Sequence, residues 1–155
     1  MISPELLRRY PFFGFMEDNE LKAVAMIAEE KNIEKGAVIL KADDPANILY
    51  FLEEGSASNY FIVEDLYNNR KELFIDSINP GEIFGFSALL EPYKYTATVR
   101  AEKDSRVIKI DGSALRALCQ FDPHLSCGLL EATAKVIMQR LHDTRILLAA
   151  ATAKV

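Results

Sequence analysis

The chain has no tryptophan, two histidines and two cysteines in 155 residues, and each scarcity excludes some chemistry. Metal centres draw several His, Cys or carboxylate ligands to one point. Both histidines, His124 and His142, fall in the last third of the sequence, so the stretch before them offers a metal no imidazole. As helix residues they read as facing solvent or a partner helix. Cys119 and Cys127 lie outside any CxxC pattern, which predicts two reduced thiols in a cytosolic setting. No Ser or Cys stands in a recognisable pattern with a base, so nucleophilic catalysis is not expected. Basic charge is also short. Eighteen Lys and Arg face 23 Asp and Glu, a net charge of -5 with no basic cluster, which speaks against direct nucleic-acid binding. No run approaches the roughly 18 apolar residues that span a bilayer, and MISPELLRRYPFF lacks the charged start and apolar core of a secretory signal. The expectation is a cytoplasmic protein that is not an enzyme, with no metal, no cofactor and no membrane partner.

What is present suits a folded domain. The chain is 50% hydrophobic and 26% charged, enough apolar residues for a core at a length typical of one domain. Ser3-Pro4-Glu5 signals a short helix ending before Pro11. In MEDNELKAVAMIAEE, residues 16–30, Leu21, Val24, Ala25 and Ala28 recur at helical spacing behind an acidic start. From 31 to 110 short apolar runs alternate with turns: Val38–Leu40, Ile48–Leu52, Tyr60–Val63, Leu73–Ile78, Thr96–Val99 and Arg106–Ile110. No helical stretch long enough for a parallel crossover separates them, so the strands should pair antiparallel. Asp111 then caps a short helix, Ser113 to Gln120, and Asp122-Pro123 starts a long one reaching about Ala150. The predicted fold is mainly β, an antiparallel β-roll or jelly roll with helices at 1–30, the roll at 31–110 and helices at 111–150, within a single domain spanning 1–155.

The segment GEIFGFSALLEPYKYTATV, residues 81–99, resembles the phosphate-binding cassette of cyclic-nucleotide-binding domains, the sensor modules of catabolite-activator-type regulators, cyclic-nucleotide-dependent kinases and gated channels. FFGFMEDNELKAVA, Lys35-Gly36-Ala37-Val38-Ile39 and Ile48–Leu52 with Gly55 are similar to other parts of that family, so the likeness covers nearly the whole chain. It implies a ligand site at Gly85, Phe86, Ser87, Ala88, Leu89, Lys94, Tyr95, Thr96 and Ala97. Gly85 would allow a close backbone approach, and the turn after it would present free N–H groups to an anion.

The resemblance also implies a Glu, one residue after this glycine, that accepts from the ribose hydroxyl, and an Arg that pairs with the cyclic phosphate. Here Phe86 and Tyr95 occupy those positions. Losing two bonds to charged groups costs roughly 3–6 kcal/mol, which carries ordinary cyclic AMP or cyclic GMP binding from micromolar towards millimolar. Three readings follow: a pocket filled by its own side chains, a different small ligand, or a cyclic nucleotide held through Lys94. The predicted role is accordingly a regulatory, ligand-sensing module, with a ligand-free protein-interaction scaffold for an unnamed protein partner as the alternative. On the last helix Leu130, Ala134, Ile137, Leu141 and Leu148 form a heptad-like seam interrupted by Thr144. That seam packs either on its own domain or on a second copy, in a homodimer. No recognition helix follows it in this sequence.

Overall fold

The computed structural model describes residues 1–153; the last two positions of the expected 1–155 domain lie outside them. Helices α1 (Pro4–Arg8) and α2 (Asp18–Met26) flank a single 3-10 turn. The β region follows as β1 (Ala28–Ile33), β2 (Val38–Leu40), β3 (Ile48–Glu54), β4 (Ala57–Glu64), β5 (Arg70–Ile78), β6 (Ile83–Phe84), β7 (Thr98–Ala101) and β8 (Ser105–Asp111). The chain continues into α3 (Gly112–Phe121) and α4 (Pro123–Thr152). All strand pairs are antiparallel, in two four-stranded sheets ordered β1-β8-β3-β6 and β2-β7-β4-β5. This is the predicted antiparallel roll with flanking helices.

One strand explains how the layers divide. β3 is apolar on both faces, and successive side chains point to opposite sides of a sheet. Leu49 and Phe51 join the cluster under the helices, with Leu7, Phe13, Leu21 and Leu125. Tyr50 and Leu52 join the cluster inside the roll, with Leu40, Phe84, Tyr95 and Val99. The β1-β8-β3-β6 sheet is therefore a wall shared by two cores, which is why Ile48–Leu52 reads as an unbroken apolar run.

The helix boundaries follow their caps. The Asp111 carboxylate accepts from the Ala114 N–H and Asp122 from the Leu125 N–H, so the two predicted starts hold. The helix expected through Glu30 does not. It stops at Met26, and Ala28–Ile33 pairs with β8 from Ala28 opposite Ile110 to Ile33 opposite Ser105. Pairing with a distant strand overrides the helical periodicity of this alanine-rich stretch, so β structure begins before residue 31. Likewise the strand expected from Thr96 begins at Thr98, and the two-residue β6 had no periodic signal.

Candidate functional site

The segment from Gly81 to Val99 leaves the roll through β6, turns, and returns as β7. Gly85 stands at its corner with a φ of 71°, where side chains are disfavoured. A Cβ there would lie 3.1 Å from the Ile48 carbonyl oxygen and 3.2 Å from the side chains of Leu40 and Tyr50. Conformation and space together select glycine. The residues after it, Phe86–Leu89, form the expected helical turn, of 3-10 type.

Against this turn lies a cavity of about 330 Å³, near the lower end of the usual range for small-molecule sites. Six of the nine predicted cassette residues line it: Gly85, Phe86 and Ser87 before the loop, Tyr95, Thr96 and Ala97 after it. The other three do not. Ala88 is buried in the roll core, Leu89 packs under the helices, and Lys94 is exposed outside the cavity. Strands β4 and β5 contribute Asn59, Phe61, Ile75 and Asp76 to the lining. Helix α4 contributes Ile137, Arg140, Leu141 and Thr144, so the cavity lies between the roll and the last helix.

Tyr95 is 7% exposed and belongs to the core. Its hydroxyl donates to the Ile48 carbonyl at 2.7 Å and accepts from the Ile48 N–H at 3.2 Å, so both of its functions are engaged by backbone. Burial pushes the Tyr95 hydroxyl up, and the neighbouring Tyr50 hydroxyl up to about 12, leaving both as neutral phenols. Lys94 does not turn inward in this segment. Tyr95 N–H bonds the Asp44 carbonyl, Asp43 N–H bonds the Tyr95 carbonyl and Ala46 N–H bonds the Tyr93 carbonyl. Those bonds hold the register that points Tyr95 inward and Lys94 outward. The side chains also do not fill the site completely. Phe86 is half-buried at the edge of the cavity, and Tyr50 stacks on Phe84, centroids 5.0 Å apart.

Two arginines that the sequence did not single out tie this segment to the C-terminal helices. Arg116 of α3 donates to the Ala88 carbonyl at 2.6 Å and lies 4.2 Å over the Tyr93 ring. Arg140 of α4 donates to the Ile83 carbonyl at 2.9 Å, with its guanidinium 5.3 Å over the Phe86 ring. No local pattern marks either, because each meets a carbonyl far away in sequence. The cavity's polar groups are otherwise few. Asn59 donates to Asp76, and Thr144 donates to the Arg140 carbonyl. Among the described residues no hydroxyl lining the cavity bonds a carboxylate or an imidazole.

At the other end of α4, His124 is not merely solvent-facing. Its Nδ1 lies 2.8 Å from the buried Glu20 carboxylate, which also accepts from the Glu17 N–H. Glu17, Glu20 and His124 bring their ligand-type atoms within 4.8 Å of one another. Glu20 raises the basicity of the imidazole by hydrogen bonding and by its charge, and the pair pins the start of α4 to α2. Along α4, Leu125, Leu129 and Thr133 are buried on the domain, whereas Leu130, Ala134, Ile137, Leu141 and Leu148 are all exposed. The predicted seam is thus not consumed by packing on its own domain.

Residues 30–122, more than half of the chain, match the family model of the cyclic nucleotide-binding domain. A solved protein from Geobacter metallireducens GS-15, described as cyclic nucleotide-binding, superposes with a TM-score of 0.81 at 38% identity, covering 92% of this chain and 100% of that one. A Rhodopseudomonas palustris protein described as a potassium channel protein is 25% identical over 126 residues, 81% of this chain and 29% of its own length. A cAMP-dependent protein kinase regulatory subunit from Colletotrichum orbiculare is 29% identical over 114 residues, 74% of this chain and 27% of its own length. The chain spans less than a third of either of those two relatives.

Proposed function

This chain belongs to the cyclic nucleotide-binding domain family, and on that footing we propose that it is a regulatory module that senses a small ligand and reports it through its last two helices. The observation that carries the reading is the open cavity of about 330 Å³ between the cassette and α4. Arg116 and Arg140 link that cassette directly to α3 and α4, so a ligand that moves the turn at Phe86–Leu89 disturbs the Arg116–Ala88 bond and the packing of Arg140 on Phe86. A ligand shifts such an equilibrium only by its differential affinity for the two arrangements. The role proposed is binding without catalysis, in the reducing cytosol, where Cys119 and Cys127 stay as free thiols.

Two copies join, in this reading, along the exposed seam of α4. The helix runs 30 residues, about 45 Å at its usual rise, and its outward residues Leu130, Ile137, Leu141 and Leu148 are 39–61% exposed. Apolar side chains at heptad spacing on a long helix suit a second copy of the same helix. Ile137 and Leu141 also line the cavity, so the seam and the ligand site share residues.

Cyclic AMP and cyclic GMP are not the preferred ligands in this proposal. Phe86 has no acceptor for a ribose hydroxyl, and Tyr95 spends its hydroxyl on Ile48. Isothermal titration calorimetry with both nucleotides tests this directly. Affinities weaker than micromolar are expected; micromolar binding of either would refute the assignment of Phe86 and Tyr95 as disabling. The alternative, a ligand-free scaffold working through its dimer seam, is favoured only if no small molecule enters the cavity while the dimer persists.

A further inference from the structure

We infer that the ligand of this cavity is a compact organic anion with an apolar body, and that its charge is met by Arg140 of α4 rather than by the cassette. The inference rests on the ligand-sensing reading above and narrows it to a chemical class.

The cations come first. Among the described residues, Arg140 is the single Lys, Arg or His lining the cavity. Lys94 stands outside, and the cassette position that would carry an arginine is the core residue Tyr95. Arg140 is also held ready. One N–H of its guanidinium donates to the Ile83 carbonyl at 2.9 Å, and its Cζ lies 5.3 Å from the Phe86 ring centroid. A guanidinium carries five donors in a rigid fork, so this bond leaves a face for an anion. Phe86 matters here as more than a lost acceptor. A carboxylate at that position would lie beside Arg140 and pair with it; an aromatic ring supports the guanidinium without neutralising it. Among the described residues the one carboxylate in the lining, Asp76, accepts from the Asn59 amide.

The body of the ligand follows from the rest of the lining. Leu40, Phe61, Phe84, Val99 and Leu141 present apolar surface, which favours a flat or branched hydrocarbon over a sugar. Because the charge is met from α4, an anion binds the same guanidinium that holds the Ile83 carbonyl. Ligand recognition and the seating of the helix then become a single event.

The test uses two fluorescent probes of matched shape: 8-anilinonaphthalene-1-sulfonate, an apolar anion, and N-phenyl-1-naphthylamine, its uncharged counterpart. Saturable one-to-one binding is expected for both, with the sulfonate favoured. Arg140→Gln should weaken the sulfonate by about tenfold to a hundredfold, the effect of one hydrogen bond between charged groups, and leave the neutral probe unchanged. Phe86→Glu should weaken the sulfonate more than the neutral probe by placing a carboxylate against Arg140, and it serves if Arg140→Gln fails to fold. Ala97→Phe, which narrows the cavity, should abolish both. If the folded variants keep the preference for the anion, or if Ala97→Phe leaves sulfonate binding intact, the inference is wrong. Binding of the neutral probe without any preference for the anion overturns the inference alone; binding of neither overturns the sensing reading with it.

Discussion

Replacing Tyr95 by Phe removes one oxygen atom and keeps the ring, so the change isolates what the hydroxyl does. That hydroxyl bonds both backbone groups of Ile48, at 2.7 Å and 3.2 Å, and ties the end of the cassette loop to the first residue of β3. Each such bond is worth about 1 kcal/mol net of water, so the loss should be about 2 kcal/mol. Little cavity contribution is added, because the aromatic ring still fills its place among Leu40, Phe84 and Val99. For a chain of this size 1 kcal/mol corresponds to about 2–4 °C, giving a fall in Tm of about 4–8 °C. Thermal unfolding followed by far-UV circular dichroism measures the shift, and urea unfolding at unchanged slope checks that only stability has moved. A loss below about 0.5 kcal/mol, the level of an indifferent surface change, would show that Tyr95 does not anchor the loop. The residue would then be free to serve a ligand, contrary to its role here.

Two further predictions concern the frame around the site. Gly55, between β3 and β4, has a φ of 99°, and a Cβ there would lie 2.1 Å from Ser105 Oγ and 2.8 Å from the Asp104 carbonyl oxygen. Gly55→Ala should therefore cost about 3 kcal/mol in backbone strain and overpacking; a urea midpoint close to that of the parent would refute this. The His124–Glu20 contact gives a pH signature. Glu20 lifts the imidazole pKa in the folded state, so the contact's contribution is complete below the unfolded value of about 6.5. It is lost as pH rises through the lifted value. The stability deficit of His124→Gln should accordingly shrink as pH rises above about 6.5. A deficit that does not change with pH would mean that packing, and not charge, holds the start of α4.

Much of the architecture was legible because local signals act on the backbone. The caps at Asp111 and Asp122 start α3 and α4 where the sequence places them, since each side chain bonds an amide three residues on. The corner at Gly85 was legible for a similar reason, a left-handed φ that favours glycine. The start of β1 was misread because the helical spacing of Leu21, Val24 and Ala25 continues to Ala28, and only pairing with β8 makes Ala28–Ile33 a strand. The cassette was found, but the roles within it were divided by contacts the sequence does not encode locally. Tyr95 went to the core, Lys94 to solvent and Phe86 beneath Arg140.

The amino-acid sequence by itself determined the succession of leading helices, antiparallel roll and closing helices, the glycine corner of the cassette, and the replacement of its two polar positions by Phe86 and Tyr95. It could do so because capping, turn conformation and alternation of apolar residues are set within a few residues of chain. Only the tertiary structure decided what faces the cavity. Arg140 follows Phe86 by more than fifty residues, and folding back α4 brings the two together. A binding site of this kind is a convergence of side chains from separate elements. It exists only once the packing of α4 against the roll has set the distance between them.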